Sequence, residues 1–231
     1  MRRFAALFAV LAVGCGVDPL PEPPAPAPQL LGDFDGGVCS ACDGQASVSG
    51  ASGSVVDADS VWAVNLDREA PPVVVPVASD GSFGLFLPAI EGDEIRIQAR
   101  RDDLRSTPLD LVMLVAGGVD EAPRPLSDCF VLPLELAFAD TAIGGLTAGS
   151  VRIEHGCAAP LQVDAVVLRA PSSDFSVSVP TLPIVLAPGE FLDVAIDFSP
   201  PGAGLREEVL LIEVSQPEVD RRPITLFGRA P

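Results

Sequence analysis

The stretch Leu186-Ala187-Pro188-Gly189-Glu190-Phe191-Leu192-Asp193-Val194-Ala195-Ile196-Asp197-Phe198-Ser199-Pro200 decides the fold class. From Asp193 to Phe198 the residues alternate. Val194, Ile196 and Phe198 fall on one side of an extended chain, and both aspartates fall on the other. A period of two is that of a strand with one face in a core. Ala187-Pro188-Gly189-Glu190 before it reads as a turn, because proline presets its φ and glycine accepts positive φ at no steric cost. Pro200 closes the run, as prolines do at strand ends. Runs of this kind recur on both sides, separated by turn residues every 8–15 positions. Pro160 and Pro223 also sit at run boundaries. Seven such runs after residue 129 predict a β-sandwich.

The segment from Asp43 to Val115 reads the same way. Val61-Trp62-Ala63-Val64, Val73 to Val77, Phe83 to Leu87 and Ile95 to Ala99 are short apolar or alternating runs. Glu94-Ile95-Arg96-Ile97-Gln98-Ala99-Arg100 alternates strictly, so it is expected to bury one face and leave Arg96, Gln98 and Arg100 in water. Ser79-Asp80-Gly81-Ser82 is expected to be a tight hairpin turn. Leu109 to Val115 is apolar throughout and reads as either a buried strand or a helical turn. Gly117 to Asp128, rich in Gly, Pro and acids, reads as an interdomain linker. The expected fold is all-β: two tandem Ig-like β-sandwiches, at 43–116 and 129–231, joined by 117–128.

The N-terminus gives an address. Arg2 and Arg3 precede an apolar run from Phe4 to Val13, too short to span a bilayer as a mature helix. The run ends in Ala12-Val13-Gly14-Cys15, which resembles a bacterial lipobox. The resemblance implies a signal peptide over 1–14 and a mature chain beginning at a lipidated, palmitate-bearing Cys15. Residues 15–42 contain Asp18-Pro19-Leu20-Pro21-Glu22-Pro23-Pro24-Ala25-Pro26-Ala27-Pro28, a composition that favours polyproline II at about 3.1 Å per residue. Placed after a lipidated cysteine, it reads as a tether. Gly16, and an Asp18 displaced from the next position, favour the outer membrane over the inner.

Two family resemblances follow. Gly53-Ser54-Val55, Val61 to Val64, Ser79-Asp80-Gly81-Ser82-Phe83, Leu87-Pro88-Ala89 and Glu91-Gly92-Asp93 are similar to bacterial Ig-like repeats and to carboxypeptidase-regulatory-like domains. Leu136-Ala137-Phe138-Ala139-Asp140 with Gly144, then Val151 to Cys157 with Ala159-Pro160-Leu161, begin a second likeness. Ser173-Asp174-Phe175-Ser176, Leu186 to Glu190 with Val194 to Pro200, and Ile224-Thr225-Leu226-Phe227-Gly228 complete it. Together they resemble the ASH (abnormal-spindle/Hydin) and choice-of-anchor D group of Ig-like domains. Ala139, and His155-Gly156-Cys157, depart from that group's usual glycine and asparagine-containing turn. Both resemblances imply modules that serve as spacers or binding surfaces.

Composition limits the chemistry. The 231 residues carry a formal charge of −18, from 32 acids against 14 basic residues. Every basic residue is arginine, Tyr and Lys are absent, and His155 is the single histidine. Such a surface repels phosphate backbones, so no nucleic-acid partner is expected. With one histidine and no lysine or tyrosine, no catalytic residue, cofactor or metal ligand set is assigned. Four cysteines besides Cys15 are read as disulfides, as suits an exported chain. If strands near 133–139 and 150–156 pair antiparallel, Cys129 lies beside Cys157, leaving Cys39 and Cys42 to pair locally. Asp33-Phe34-Asp35-Gly36 resembles the start of a calcium loop without its later ligands. Asp57, Asp59 and Asp80 are read as solvated turn acids. The expected function is a non-enzymatic, lipid-anchored envelope protein that meets the membrane through Cys15 and an unidentified protein partner. The alternative is a small-ligand or glycan-binding module, with Trp62 and some Phe as its aromatic platform.

Overall fold

The computed structural model describes residues 25–38, 44–115 and 117–231, and among these residues it is all-β with no helix. The lipobox, Cys15, Cys39 and Cys42 lie outside the described residues.

The N-terminal unit is a sandwich of two sheets. Phe34–Val38, Gln45–Gly50 and Phe83–Pro88 form one. The other runs in the order Val119–Glu121, Leu109–Met113, Glu94–Arg101, Ser60–Asn65, Val73–Pro76. Val48, Leu85, Leu87, Ile95, Ile97 and Met113 fill the space between them. Leu109–Met113 is therefore a strand and not a helical turn. Gly81 turns with φ 82°, as expected. The strands on either side of it, however, belong to different sheets, so the turn is a corner of the sandwich and not a hairpin. The fold also begins earlier and ends later than composition suggests. Phe34–Val38 pairs with Gln45–Gly50, inside the expected tether segment, and Val119–Glu121 pairs with Leu109–Met113, inside the expected linker.

The C-terminal unit is a second Ig-like sandwich. Its four-stranded sheet runs Phe130–Val131, Thr147–His155, Phe191–Phe198, Phe175–Ser178. Its five-stranded sheet runs Glu135–Ala137, Asp220–Ala230, Gly204–Gln216, Leu161–Leu168, Ile184–Leu186. Val194, Ile196 and Phe198 point into the core while Asp193 stays exposed, and Gly189 takes φ 85° in the expected turn. Phe138, Phe175 and Phe198 pack with ring centroids 5.0–5.7 Å apart. Gly228 is needed beside them, because a Cβ there would come within 2.5 Å of the Phe198 ring.

One strand departs from expectation. The segment 133–139 does not pair with 150–156. Phe130–Val131 pairs antiparallel with Glu154 and His155, and the chain then passes Pro133 and crosses to the other sheet. There Glu135–Ala137 lies parallel to Thr225–Phe227. A proline carries no N–H to continue a ladder, which suits it to the crossing point.

Candidate functional site

Much of the buried polar chemistry among the described residues lies on the face between the two sandwiches. Arg96, Gln98 and Arg100, expected in water, are only 1%, 0% and 8% exposed. The alternation of Glu94–Arg101 is correct, but its polar face is covered by the second sandwich. The covering is partly apolar. Trp62, Val64 and Leu66 from Ser60–Asn65 and the residue after it meet Val209 and Leu211 from Gly204–Gln216. Both strands are therefore buried on two faces. Val61 and Ala63 serve the first core, and Leu210 and Ile212 serve the second.

Arg96 is the centre of the polar part. Its Nε and one Nη donate to the two Asp110 carboxylate oxygens at 2.7 and 3.0 Å. That Nη also donates to the Pro223 carbonyl at 2.7 Å, and the other donates to Thr225 Oγ1 at 3.0 Å and the Leu134 carbonyl at 3.3 Å. All five guanidinium donors are used, three of them across the domain boundary. Gln98 donates to Glu135 at 2.5 Å. Glu207 accepts from Arg100 at 2.7 Å and from Arg105 at 2.6 Å. The second sandwich returns the arrangement. Arg169 donates to the carbonyls of Arg68 and Ala70, and Arg221 to Asp67 and the Leu66 carbonyl. The segment between the sandwiches is pinned as well, since Leu126 N donates to the buried Asp220 carboxylate at 2.9 Å.

Charge states follow from this packing. Burial works to raise the Asp110 carboxyl, but Arg96 and Arg124 outweigh it and hold the group below its ordinary 3.8. Burial lowers Arg100 to about 10 against the pull of Glu207. Burial pushes the Glu208 carboxyl up, against Arg169. A carboxylate with a depressed folded-state pKa stabilises the fold above its unfolded pKa, and that contribution is lost as pH falls through the folded value. The stabilisation from Asp110 is thus complete above roughly pH 5 and declines below about pH 4. Urea midpoints measured across that window should fall less steeply for Asp110→Asn than for wild type. Parallel slopes would exclude Asp110 as a source of the acid sensitivity.

Beside Arg96 lies a cleft of about 370 Å³, lined by Asp110, Arg124, Phe130, Leu132 and Arg222 among others. Its arginines already have partners. Arg96 holds Asp110, Arg124 is held by Glu94 and Asp110, and Arg222 by Asp220.

The residues singled out from sequence are placed as follows. Cys129 and Cys157 form a disulfide, with Cα atoms 4.7 Å apart. His155 is 2% exposed and neither ring nitrogen meets a hydrogen-bond partner in the protein. Its backbone carries the turn, donating to Glu190 O and accepting from Gly189 N. Asp80 accepts from Ser82, Asp35 from Gly36 N, and Asp57 lies 3.6 Å from Arg101. Among the described residues no three His, Cys, Asp or Glu side chains come together as a metal site. Trp62 is 1% exposed and lies under the Arg100 guanidinium at 4.7 Å, so it offers no platform to a glycan. Of the exposed phenylalanines, Phe191 is covered by Arg152 at 4.1 Å and Phe86 lies on the outward face of Phe83–Pro88. The interface residues were not readable as a site. Their signal was the continuous apolar runs Val61–Val64 and Val209–Ile212, which mark strands buried on both faces.

No family model matches the chain, and no curated protein matches it in sequence. Its likeness is to solved structures. An ASH/PapD-like domain of human CEP192 (PapD-like domain 7) is 16% identical, with a TM-score of 0.40. That match covers 52% of this chain and 96% of the other. A protein of unknown function from Porphyromonas gingivalis W83 is 13% identical over 80% of this chain and 89% of its own, with a TM-score of 0.38. The secreted serine protease VesC from Vibrio cholerae is 12% identical over 58% of this chain and 32% of its own, with a TM-score of 0.37. All three are distant likenesses and carry no activity over to this chain.

Proposed function

We propose that this chain is a lipid-anchored, non-enzymatic envelope protein, more suited to the outer membrane than the inner, that works by adhesion, scaffolding or protein–protein contact. In this reading the N-terminal unit is a bacterial Ig-like domain and the C-terminal unit an ASH or choice-of-anchor D-like domain. Cys15 carries the lipid, and Cys39 pairs with Cys42. The observation that supports it best is the use made of buried charge. Arg96, Arg100, Arg105, Arg169 and Arg221 bind partners across the domain boundary, and their carboxylates and carbonyls are consumed there. Such a body presents a fixed surface made of loops and sheet edges, where free backbone groups remain. The runner-up, a small-ligand module, has the interdomain cleft in its favour. The prior pairing of every arginine in that cleft favours the first reading.

The address is tested by Cys15→Ala in the native host. Two acyl chains anchor stably where one does not, so the variant is expected to leave the membrane fraction, and intact mass of the wild type is expected to show lipid. A variant that stays membrane-bound, with a wild type free of lipid, would reject the anchor. Partners are sought by cross-linking intact envelopes and capturing the full chain.

A further inference from the structure

The two sandwiches share a direction. Glu94–Arg101 runs from an end holding Glu94 to an end holding Arg101, and Asp220–Ala230 runs the same way, with Arg221 beside Asp67 and Arg229 beside Asp103. The N-terminal chain enters at the second end. Arg101 donates to the Pro26 carbonyl at 2.5 Å, Pro28 is buried, and Gln29–Leu30 pairs with Val55–Val56. Cys15 is eleven residues before Pro26, a reach of about 34 Å for a chain extended at the polyproline II rise.

That same end exposes Leu31, Leu104, Ile143, Leu146 and Leu205. Leu205 lies opposite Arg229 in the ladder, Thr141 N donates to Arg229 O, and Asp103, next to Leu104, pairs with Arg229. The segments carrying Leu104, Ile143, Leu146 and Leu205 therefore gather around one residue, and Leu31 follows the pinned entry strand. The opposite end is also apolar in places, with Val115 and Val219 exposed, but the tether does not start there.

We infer that the tether-bearing end seats on the bilayer, with these aliphatic residues entering the interface of a zwitterionic lipid surface. The inference rests on the lipid anchor at Cys15 proposed above, and adds to it an orientation and a contact surface. Apolar side chains gain by entering the boundary between headgroups and acyl chains. Asp33, Asp57, Asp102, Asp103 and Asp140 lie at the same end, so anionic lipid opposes the contact. The far end, with the Cys129–Cys157 disulfide and the hairpin tip at Val219, then faces away from the membrane.

The test uses the full lipidated protein, purified from membranes and placed in phosphatidylcholine vesicles with brominated acyl chains. Leu146 and Val219 are 67% and 78% exposed, so tryptophan is accommodated at either. Trp62, buried between the sandwiches, supplies a constant background. Leu146→Trp is expected to lose part of its added emission to bromine, because an inserted apolar side chain sits at the boundary between headgroups and acyl chains, and Val219→Trp is expected to lose none. Anionic lipid should relieve the quenching. Lipidated, vesicle-bound protein with neither variant quenched would overturn the seating and leave the anchor standing. Quenching of Val219→Trp alone would overturn the orientation. Shielding of Leu146→Trp that is equal without vesicles would assign the patch to a second copy and overturn the inference. Protein with no lipid by intact mass would overturn the anchor, and the seating with it.

Discussion

Arg96→Met is expected to lower the unfolding free energy by about 3–5 kcal/mol, the usual cost of removing one partner from a buried ion pair. The side chain is 1% exposed, and every one of its donors is used. Methionine fills similar volume, so the loss is electrostatic and not a cavity. Asp110 keeps Arg124, but the Pro223 and Leu134 carbonyls lose a donor inside the interface, and each orphaned buried acceptor carries its own cost. Because three of the five bonds cross the boundary, the sandwiches are expected to uncouple, so that one thermal transition becomes two. Arg96→Lys is not expected to restore the wild type, since an ammonium cannot span the carboxylate and three further acceptors in a fixed fork. Calorimetry decides it. A loss below about 1 kcal/mol with a single transition, the size typical of exposed pairs, would show that the network contributes little.

The second large effect is on the disulfide. Cys129 and Cys157 are 28 residues apart, and removing the bridge with a double serine variant is expected to cost about 3–4 kcal/mol on the loop-closure estimate. For a chain of this length that is roughly 6–16 °C in Tm. The effect should fall on the C-terminal sandwich, because the bridge pins the short Phe130–Val131 strand beside His155 at the sheet edge. Non-reducing peptide mapping combined with urea unfolding checks both the pairing and the magnitude. A double variant as stable as wild type would show that the edge is held by its ladder alone.

The stretch that decides the fold class was legible in full. Leu186 to Pro200 contains its own turn and a clean period of two, and it forms the turn and the strand it implies. The Cys129–Cys157 pairing was legible too, but for a reason that was only half right. The cysteines are joined beside an antiparallel pair, yet that pair is Phe130–Val131 with the end of Thr147–His155. The rest of the supposed strand crosses to the other sheet. Nothing local to 130–139 distinguishes one sheet from the other except Pro133. The polar face of Glu94–Arg101 was misread because alternation reports only that two faces differ. It does not report whether water or a second domain covers the polar one. A buried arginine and a solvated arginine look alike in sequence. The information lay elsewhere, in Val61–Val64 and Val209–Ile212, whose lack of alternation requires cover on both sides.

That the two sandwiches move as one body is tested most directly by residual dipolar couplings on residues 25–231 in a dilute aligning medium. One alignment tensor is expected to fit the amides of both sandwiches, because buried pairs and the Trp62 cluster join them. Separate fits that give tensors of different magnitude or orientation would contradict a rigid interface.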